Sequence, residues 1–273
     1  MSLYDVIDEI TERQATKTET GDTRVYGVMV GIVAMNYHPD MGGRICVTIP
    51  TRDEGANELK WARLAMPSSG KSWGHYFLPE VGDQVLLAFE GGNIERPYVI
   101  GCIPMDNNKF LTGSVDQGNQ IKRIVTKHGS TITFEDSSMS PDGSMDKITI
   151  QTAGEAHTVL LDNAQKKIRI GDKAGEEEIE MSTIPGAGSI SIKARSRLTI
   201  KVGETISITL NGESGMMKIS AQQVKIEANA SVGIKTDGML KLEGAQISEQ
   251  ASAMHKVESS GMINISGSPI KIG

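Results

Sequence analysis

Apolar residues in the last third of the chain recur every eight positions. One row consists of Ile192, Ile200, Ile208, Met216, Val224, Val232 and Leu240, and a second row, two positions later, of Val202, Leu210, Ile226, Ile234 and Leu242. Each apolar–x–apolar unit predicts one short strand with a buried face. The repeat is strongest over residues 190–245, is interrupted by the polar Lys218, loosens after Gln246 and returns at 262–265 and 270–273. A short fixed repeat of this kind is typical of a solenoid or fibre.

An eight-residue unit has too little apolar surface to be stable alone, so units must stack or chains must intertwine. A single-chain β-helix needs coils of about twenty residues to form three faces, whereas an octad supplies only one strand and one corner. Three chains wound together would supply all three faces. The repeat therefore favours a homotrimer, with every residue of the two rows except Met216 forming the predicted trimer axis core.

The region before the repeat predicts a small all-β unit. Period-two alternation and intervening Gly, Pro, Asn and Asp residues indicate five short strands that close into a barrel within residues 24–105. The predicted strands cover residues 24–33, 44–50, 58–66, 84–90 and 97–103.

The remaining segments complete the predicted domain order. Residues 1–23 form an N-terminal segment in which Leu3, Val6, Ile7 and Ile10 have the spacing of a short amphipathic helix, followed by a polar stretch. This helix either docks on a neighbouring subunit or frays. Residues 106–120 are a linker, and residues 121–273 are the β-helical part, with further strands at 131–134, 147–150, 158–162 and 167–172. The fold class is all-β.

The distribution of aromatic residues supports this division. The chain has two Trp, five Tyr and four Phe, and all of them lie between Tyr4 and Phe134. A globular core of the length that follows would normally use aromatic side chains for their large buried area. Branched aliphatic side chains suit a thin axial core, in which rings would not fit.

The charge, the hydropathy and the cysteine content exclude several classes of protein. The chain has a net charge of −6 and lacks the basic patch that is typical of a nucleic-acid binder. No nucleic-acid partner is therefore expected. No apolar run approaches the length of a membrane span, and the N-terminus lacks the features of a signal peptide. Cytoplasmic assembly is therefore expected, and Cys46 and Cys102 are predicted to be buried thiols.

No motif indicates catalysis, a cofactor or a metal. Ser69–Ser72 resembles the end of a phosphate loop but lacks its first glycine and the helix that should follow. The five histidines are scattered, without metal-ligand spacing. Glu176–Glu178 lies in a predicted turn with no sign of a cleft, and there is no serine nucleophile elbow. A non-enzymatic protein is predicted.

Four ordered blocks resemble one family. Residues 38–47 are similar to the D-P-x-x-x-G-R-V-x-V opening of the family of VgrG and phage baseplate assembly protein V, and residues 61–63 are similar to the W-x-R strand of that family. Residues 70–89 resemble its G-x-x-W-G-x-x-x-x-P-x-V-G-D-x-V-L-V-x-F segment. Residues 95–101 resemble its closing strand. The matching positions are Gly43, Arg44, Trp61, Trp73, Gly74, Pro79, Gly82, Asp83, Arg96, Pro97 and Gly101.

The resemblance implies an OB-fold barrel followed by an intertwined, triple-stranded β-helix. Such proteins form the central spike of contractile injection machines: phage tails, type VI secretion systems or extracellular contractile particles. It implies a separate hub protein at the N-terminal end, a PAAR-type tip protein at the C-terminal end, and contact with a target membrane only during puncture. His255 lacks a second histidine of the His-x-His type that binds iron in some spikes, so no metal is expected.

Two other functions compete with the spike. The first is an OB-fold module on a fibrous stalk that binds glycans or nucleic acid, which predicts exposed aromatic residues along a basic groove. The second is a β-helical, polysaccharide-degrading enzyme, which predicts carboxylates or arginines clustered on one coil face.

Overall fold

The computed structural model describes residues 3–19, 21, 23–51, 59–106 and 108–271. The predicted start of the third barrel strand at Glu58 and the last two residues of the repeat, Ile272 and Gly273, lie outside this part of the chain.

Five strands close into a barrel in the order β1-β2-β3-β5-β4, which confirms the predicted barrel. Neighbouring strands are antiparallel except β3 and β5, whose parallel pairing of Arg63 with Tyr98 and of Leu64 with Val99 closes the circle. The strands are β1 (Met29–Met35), β2 (Arg44–Thr48), β3 (Lys60–Leu64), β4 (Gln84–Phe89) and β5 (Pro97–Ile103).

The barrel has its own hydrophobic core. Alternate residues of each strand point inward, and in β4 the buried positions are Val85, Leu87 and Phe89. Leu87 also packs over Gly31, where an added Cβ would lie 2.7 Å from the Leu87 Cδ1 atom. The other buried members are Val33, Ile45, Val47, Ile49, Ala62, Ile94 and Val99.

The N-terminal helix α1 spans Leu3–Thr16 and is longer than predicted. It continues through residues with adequate helix propensity, and the Thr11 and Thr16 hydroxyls donate to the carbonyls one turn earlier at 2.8 Å. Its C-terminal end is attached to the barrel, because Arg24 Nε donates to the Gln14 carbonyl and Tyr26 Oη to the Ala15 carbonyl.

A seven-stranded sheet follows the barrel. Its strands lie in chain order, and each consecutive pair is antiparallel. The strands predicted at 131–134, 147–150, 158–162 and 167–172 are confirmed. The one-turn helix α2 (Lys109–Thr112) lies in the predicted linker, and the sheet consists of β6 (Ile121–Val125), β7 (Thr131–Glu135), β8 (Lys147–Gln151), β9 (His157–Asp162), β10 (Lys167–Asp172), β11 (Glu178–Ser182) and β12 (Ser189–Lys193).

Acidic side chains stabilise the turns between these strands. The Asp172 carboxylate accepts hydrogen bonds from the backbone N–H groups of Ala174, Glu176 and Glu177 at 2.8–3.0 Å. These bonds, chiefly that from Glu177, lower the pKa of Asp172 below its usual value. Local turns of this kind fold the segment back on itself, so residues 121–193 pair within one chain as a meander.

The C-terminal repeat has fewer partners within one chain. β13 (Arg197–Val202), β14 (Ile206–Asn211) and β15 (Met216–Ser220) form a three-stranded sheet in that order. Residues 222–271 contain no strand and are all exposed. The chain divides into two compact units, Met1–Leu198 with Leu210–Met216, and Thr199–Thr209 with Met217–Gly273. The intertwined β-helix stays a prediction.

Both cysteines are free, and one of them is not buried as predicted. Cys46 is buried on β2, whereas Cys102 on β5 is exposed. The register of β5 against β4 shifts between Leu86 and Leu87, so that Ile100 is left without a paired residue. A bulge of this kind interrupts the inward–outward alternation, and Ile100, Gly101 and Cys102 are all exposed.

We predict that Leu87→Ala destabilises the barrel. The side chain is fully buried, and removing a buried leucine costs about 2–5 kcal/mol through lost transfer energy and the cavity that remains. Leu86→Ala, on the outward side of the same strand, is the matched control and should cost clearly less. Urea unfolding monitored by fluorescence would measure both, and equal losses would contradict the assignment of the core.

Candidate functional site

One face of the seven-stranded sheet is apolar across its full width. Ile124 pairs with Ile132, Ile132 with Ile150, and Ile150 with Val159. The row continues through the pairs of Val159 with Ile170, Ile170 with Ile179, and Ile179 with Ile192. Seven apolar side chains, one from each strand, therefore lie side by side.

A second row lies two residues away on the same face, because side chains alternate along a strand. Its pairings connect Phe134, Ile148, Leu161, Ile168, Met181 and Ile190, while Lys122 occupies the position on β6. We call these two rows, without Lys122, the apolar sheet face.

No described residue covers the apolar sheet face as completely as the side chains of a hydrophobic core are covered. Nine of its side chains are large hydrophobic residues that are between 37% and 71% exposed. The first row lines a groove of about 780 Å³. A contiguous apolar surface of this size is unusual on a soluble monomer and marks a site of interaction.

The opposite face of the sheet is polar and carries ion pairs between neighbouring strands. Lys167 Nζ lies 3.1 Å from Glu180 Oε2, and Arg169 Nε lies 2.5 Å from Glu178 Oε2. Opposite charges on adjacent strands stabilise the pairing modestly. The sheet is therefore amphipathic, with one face suited to water and the other to burial.

The predicted axis residues fall into three settings. Ile192 belongs to the apolar sheet face. Ile200, Val202, Ile208 and Leu210 lie on β13 and β14 and are 36–62% exposed. The remainder, Val224, Ile226, Val232, Ile234, Leu240 and Leu242, lie outside strands and are 55–71% exposed. Their assignment to a trimer axis remains a prediction.

Four of the predicted motif residues come together on the outside of the barrel. Arg44, Trp61, Arg96 and Pro97 line a pocket of about 290 Å³ with Arg63, Glu90, Glu95 and Tyr98, which we call the barrel pocket. Tyr98 Oη donates to Glu90 Oε2 at 3.0 Å, and Lys60 Nζ lies 2.7 Å from Glu95 Oε1 beside it. Arg44 and Arg63 are directly opposite on β2 and β3.

The other motif residues lie in turns and at close approaches. Gly43 has φ of +75° before β2, and Gly82 has φ of +94° before β4, a region that favours glycine. The Asp83 carboxylate accepts from the Glu80 N–H at 2.8 Å. Gly101 lies opposite Leu86 beside the β5 bulge, while Trp73, Gly74 and Pro79 belong to the loop between β3 and β4.

The loop between β3 and β4 carries exposed aromatic residues. Trp73, Tyr76 and Phe77 are 67%, 66% and 62% exposed. Phe77 also lines the groove over the apolar sheet face, so the barrel contributes to the same surface. Sequence reasoning identified Trp73 as a motif position but missed this exposure, because the exposure of a side chain in a loop depends on tertiary packing and not on a local pattern.

Within the described ranges, no three His, Cys, Asp or Glu side chains are grouped so that they could hold a metal ion. Burial raises the pKa of the Cys46 thiol, and partial desolvation together with the charge of Asp83 raises the pKa of Cys102 although its side chain is exposed. Raised values keep thiols protonated and unreactive. Over the same part of the chain, no helix is both long and apolar enough to cross a membrane.

The barrel matches a known domain family. Residues 29–103 match the family described as the type VI secretion system/phage-baseplate injector OB domain. These residues run from the start of β1 to the end of β5, so the match covers the whole closed barrel.

Individual relatives match over the same region. The type VI secretion system spike protein VgrG2a of Pseudomonas aeruginosa is 32% identical over 76 residues, and VgrG4b of the same organism is 33% identical over 79 residues. These stretches are 27% and 28% of this chain but only 9% and 10% of the relatives. Residues 29–103 therefore form a domain of the injector OB family, and the resemblance to VgrG and phage-baseplate spike proteins is confirmed over this barrel.

Proposed function

We propose that this protein is a structural, homotrimeric central spike of a contractile injection machine. The observation that carries the proposal is the apolar sheet face, which is directly connected to a barrel of the injector OB family and which one chain leaves uncovered. A spike needs a stiff shaft behind such a barrel, and self-association would build one. No catalytic role is part of the proposal.

Burial of the apolar sheet face would stabilise an assembly substantially. Completing the burial of a half-exposed isoleucine or leucine contributes about 1 kcal/mol, so nine such residues contribute on the order of 10 kcal/mol per chain. This is comparable with the lower estimates of the free-energy cost of association, about 4–15 kcal/mol. Second copies of the same face are suitable partners, because each presents the same aliphatic rows.

Three copies suit the chain better than two. An octad supplies one strand and one corner, so a closed cross-section needs three chains. Residues 222–271 offer no strand pairing within a single chain, yet continue the apolar–x–apolar pattern. Pairing between chains would satisfy their backbone groups and leave no exposed edge. Roughly ten octads at a strand spacing of about 4.8 Å give a needle on the order of 50 Å long.

The proposal includes the position of the spike in a machine. We propose that it is mounted on a hub protein at the N-terminal end, carries a PAAR-type tip protein at the C-terminal end, and crosses a target envelope when the machine contracts. It would assemble in the cytoplasm before joining the particle. The relatives support this only through their role as type VI secretion system spike proteins.

A second candidate is a ligand-binding OB barrel, and the barrel pocket is the observation that favours it. Trp61 and Tyr98 supply aromatic surface, and Arg44 faces Arg63 without an ion pair to any described carboxylate. The two glutamates of the pocket oppose the binding of an anion, and the chain as a whole is acidic. The spike therefore remains the favoured function.

Self-association can be tested with one residue from each face of β12. We expect the wild-type chain to sediment as a trimer, and Ile192→Asp to sediment as a monomer because it places a charge in every copy of the apolar interface. Ser189→Asp on the polar face of the same strand is the matched control and should remain trimeric. A well-folded wild-type monomer in sedimentation or light scattering would overturn the proposal.

The intertwined needle makes a separate prediction. In the trimer, the backbone N–H groups of Val224, Ile226, Val232 and Ile234 should be protected from hydrogen exchange, because strands from other copies accept their hydrogen bonds. In the monomeric Ile192→Asp chain these amides should exchange at nearly the rate of an unfolded peptide. Rapid exchange of the four amides in a confirmed trimer would exclude the needle while leaving the sheet interface intact.

The two candidate functions differ in ligand binding. We expect the wild-type trimer not to bind peptidoglycan fragments, other glycans or single-stranded DNA at physiological salt. Calorimetry would measure binding of each of these ligands. Binding that is lost on Trp61→Ala, with the barrel still folded, would replace the spike by the ligand-binding candidate, since stacking on an aromatic side chain is worth about 1–3 kcal/mol per base.

A further inference from the structure

The loop between β3 and β4 holds an aromatic surface that the barrel core does not use. We call residues 68–81 the aromatic loop. Its Trp73, Tyr76 and Phe77 are each more than three-fifths exposed, although aromatic side chains are the ones with most apolar surface to bury. Three such residues within five positions require an explanation.

The aromatic loop is rigidly built at its tip. Gly70 N–H donates to the Trp73 carbonyl at 2.7 Å, and His75 N–H donates to the Ser68 carbonyl at 3.0 Å. The Ser68 hydroxyl and His75 Nδ1 are 2.9 Å apart. The Trp73 indole lies against Gly70, where an added Cβ would be 2.4 Å from Nε1. The exposed ring is therefore held in position by a closed hairpin.

The base of the aromatic loop is fixed to both the barrel and the sheet. Leu78 packs against the barrel core, and Asn36 Nδ2 donates to the Pro79 carbonyl at 3.2 Å. Glu80 Oε2 accepts from Lys127 Nζ, in the turn between β6 and β7, at 2.7 Å. With Leu78 directed inward, its neighbour Phe77 is directed outward onto the groove.

The aromatic loop and the apolar sheet face therefore form one continuous surface. Phe77 lines the groove together with Ile124, Ile132 and Ile150. A polynucleotide would require a basic groove beside the rings, whereas the loop contains only Lys71 as a permanent positive charge. Continuity with an aliphatic surface favours an apolar occupant.

We propose that the aromatic loop packs against a second copy of this chain. The inference rests on the proposed trimer and adds to it that the barrel, and not only the shaft, takes part in the interface. The rings would close the barrel end of the aliphatic interior, where the cross-section is wide enough for them. Pre-organised aromatic side chains suit such a contact because little conformational freedom is lost when they are buried.

The fluorescence of Trp73 tests this contact directly. Trp61→Phe leaves Trp73 as the sole tryptophan of the 273-residue chain. We expect acrylamide to quench Trp73 several-fold less in the trimer than in free N-acetyltryptophanamide, and the difference to be largely lost in the Trp61→Phe/Ile192→Asp monomer. Sedimentation of the same samples establishes the number of copies.

Substitution of a second ring provides an independent measurement. Tyr76→Ser should lower the midpoint for thermal dissociation of the trimer, whereas Tyr4→Ser, which removes a similarly exposed ring on α1, should leave it unchanged. Near-wild-type spectra of the dissociated chains would show that the barrel itself still folds.

The outcomes separate this inference from the trimer on which it rests. A confirmed trimer in which Trp73 is quenched as readily as the free compound would overturn the aromatic contact and leave the spike proposal standing. A monomeric chain would overturn both. Protection of Trp73 that appears only after peptidoglycan fragments are added would assign the loop to a glycan and would likewise overturn the contact between copies.

Discussion

Two rows of apolar side chains cross the sheet, one through all seven strands and one through the six strands from β7 to β12, and the need to remove them from water governs the rest of the molecule. Each hairpin places an isoleucine or valine directly beside another, from Ile124 on the first strand to Ile192 on the last. The backbone groups of the sheet are well paired, but its apolar face forms only one side of a hydrophobic core. A fold with this property is complete only when another surface covers it.

The barrel differs from the sheet, because its strands close on themselves and bury their apolar residues within one chain. Parallel pairing of β3 with β5 removes the sheet edge, and the residues inside, such as Ile45, Leu87 and Val99, are fully buried within one chain. Closure allows a unit of this size to have a core of its own. The chain thus combines a barrel that has a core of its own with a sheet whose apolar face a single chain leaves largely exposed.

The location of aromatic residues follows from the same division. Rings occur on the two helices, in the barrel and its loops and on β7, and are absent after Phe134. In the proposed trimer, a narrow shared interior would have room for aliphatic branches but not for rings. The rigid Ser68–His75 hairpin and the contact of Lys127 with Glu80 hold the exposed rings in place.

Much of this organisation could be predicted from residue patterns. Strict alternation and turn residues located the five barrel strands and four strands of the sheet, and the motif blocks identified the barrel family, because these signals are local. The assignment of the residues from Ile200 to Leu242 to a trimer axis remains a prediction, because these side chains are exposed in the single chain.

The sequence by itself determined the five barrel strands, four strands of the seven-stranded sheet and the family of the barrel, but it did not locate β11, and residues 222–271, where it predicted strands, contain none within one chain. Only the tertiary structure decided that residues 121–193 pair as an antiparallel meander and that their apolar positions align into two rows. It also decided that the bulge at Ile100 exposes Cys102, and that Phe77 lines the groove over the apolar sheet face. The physical reason is that strand register and loop direction depend on hydrogen bonds and packing between residues distant in the chain, which no local pattern encodes.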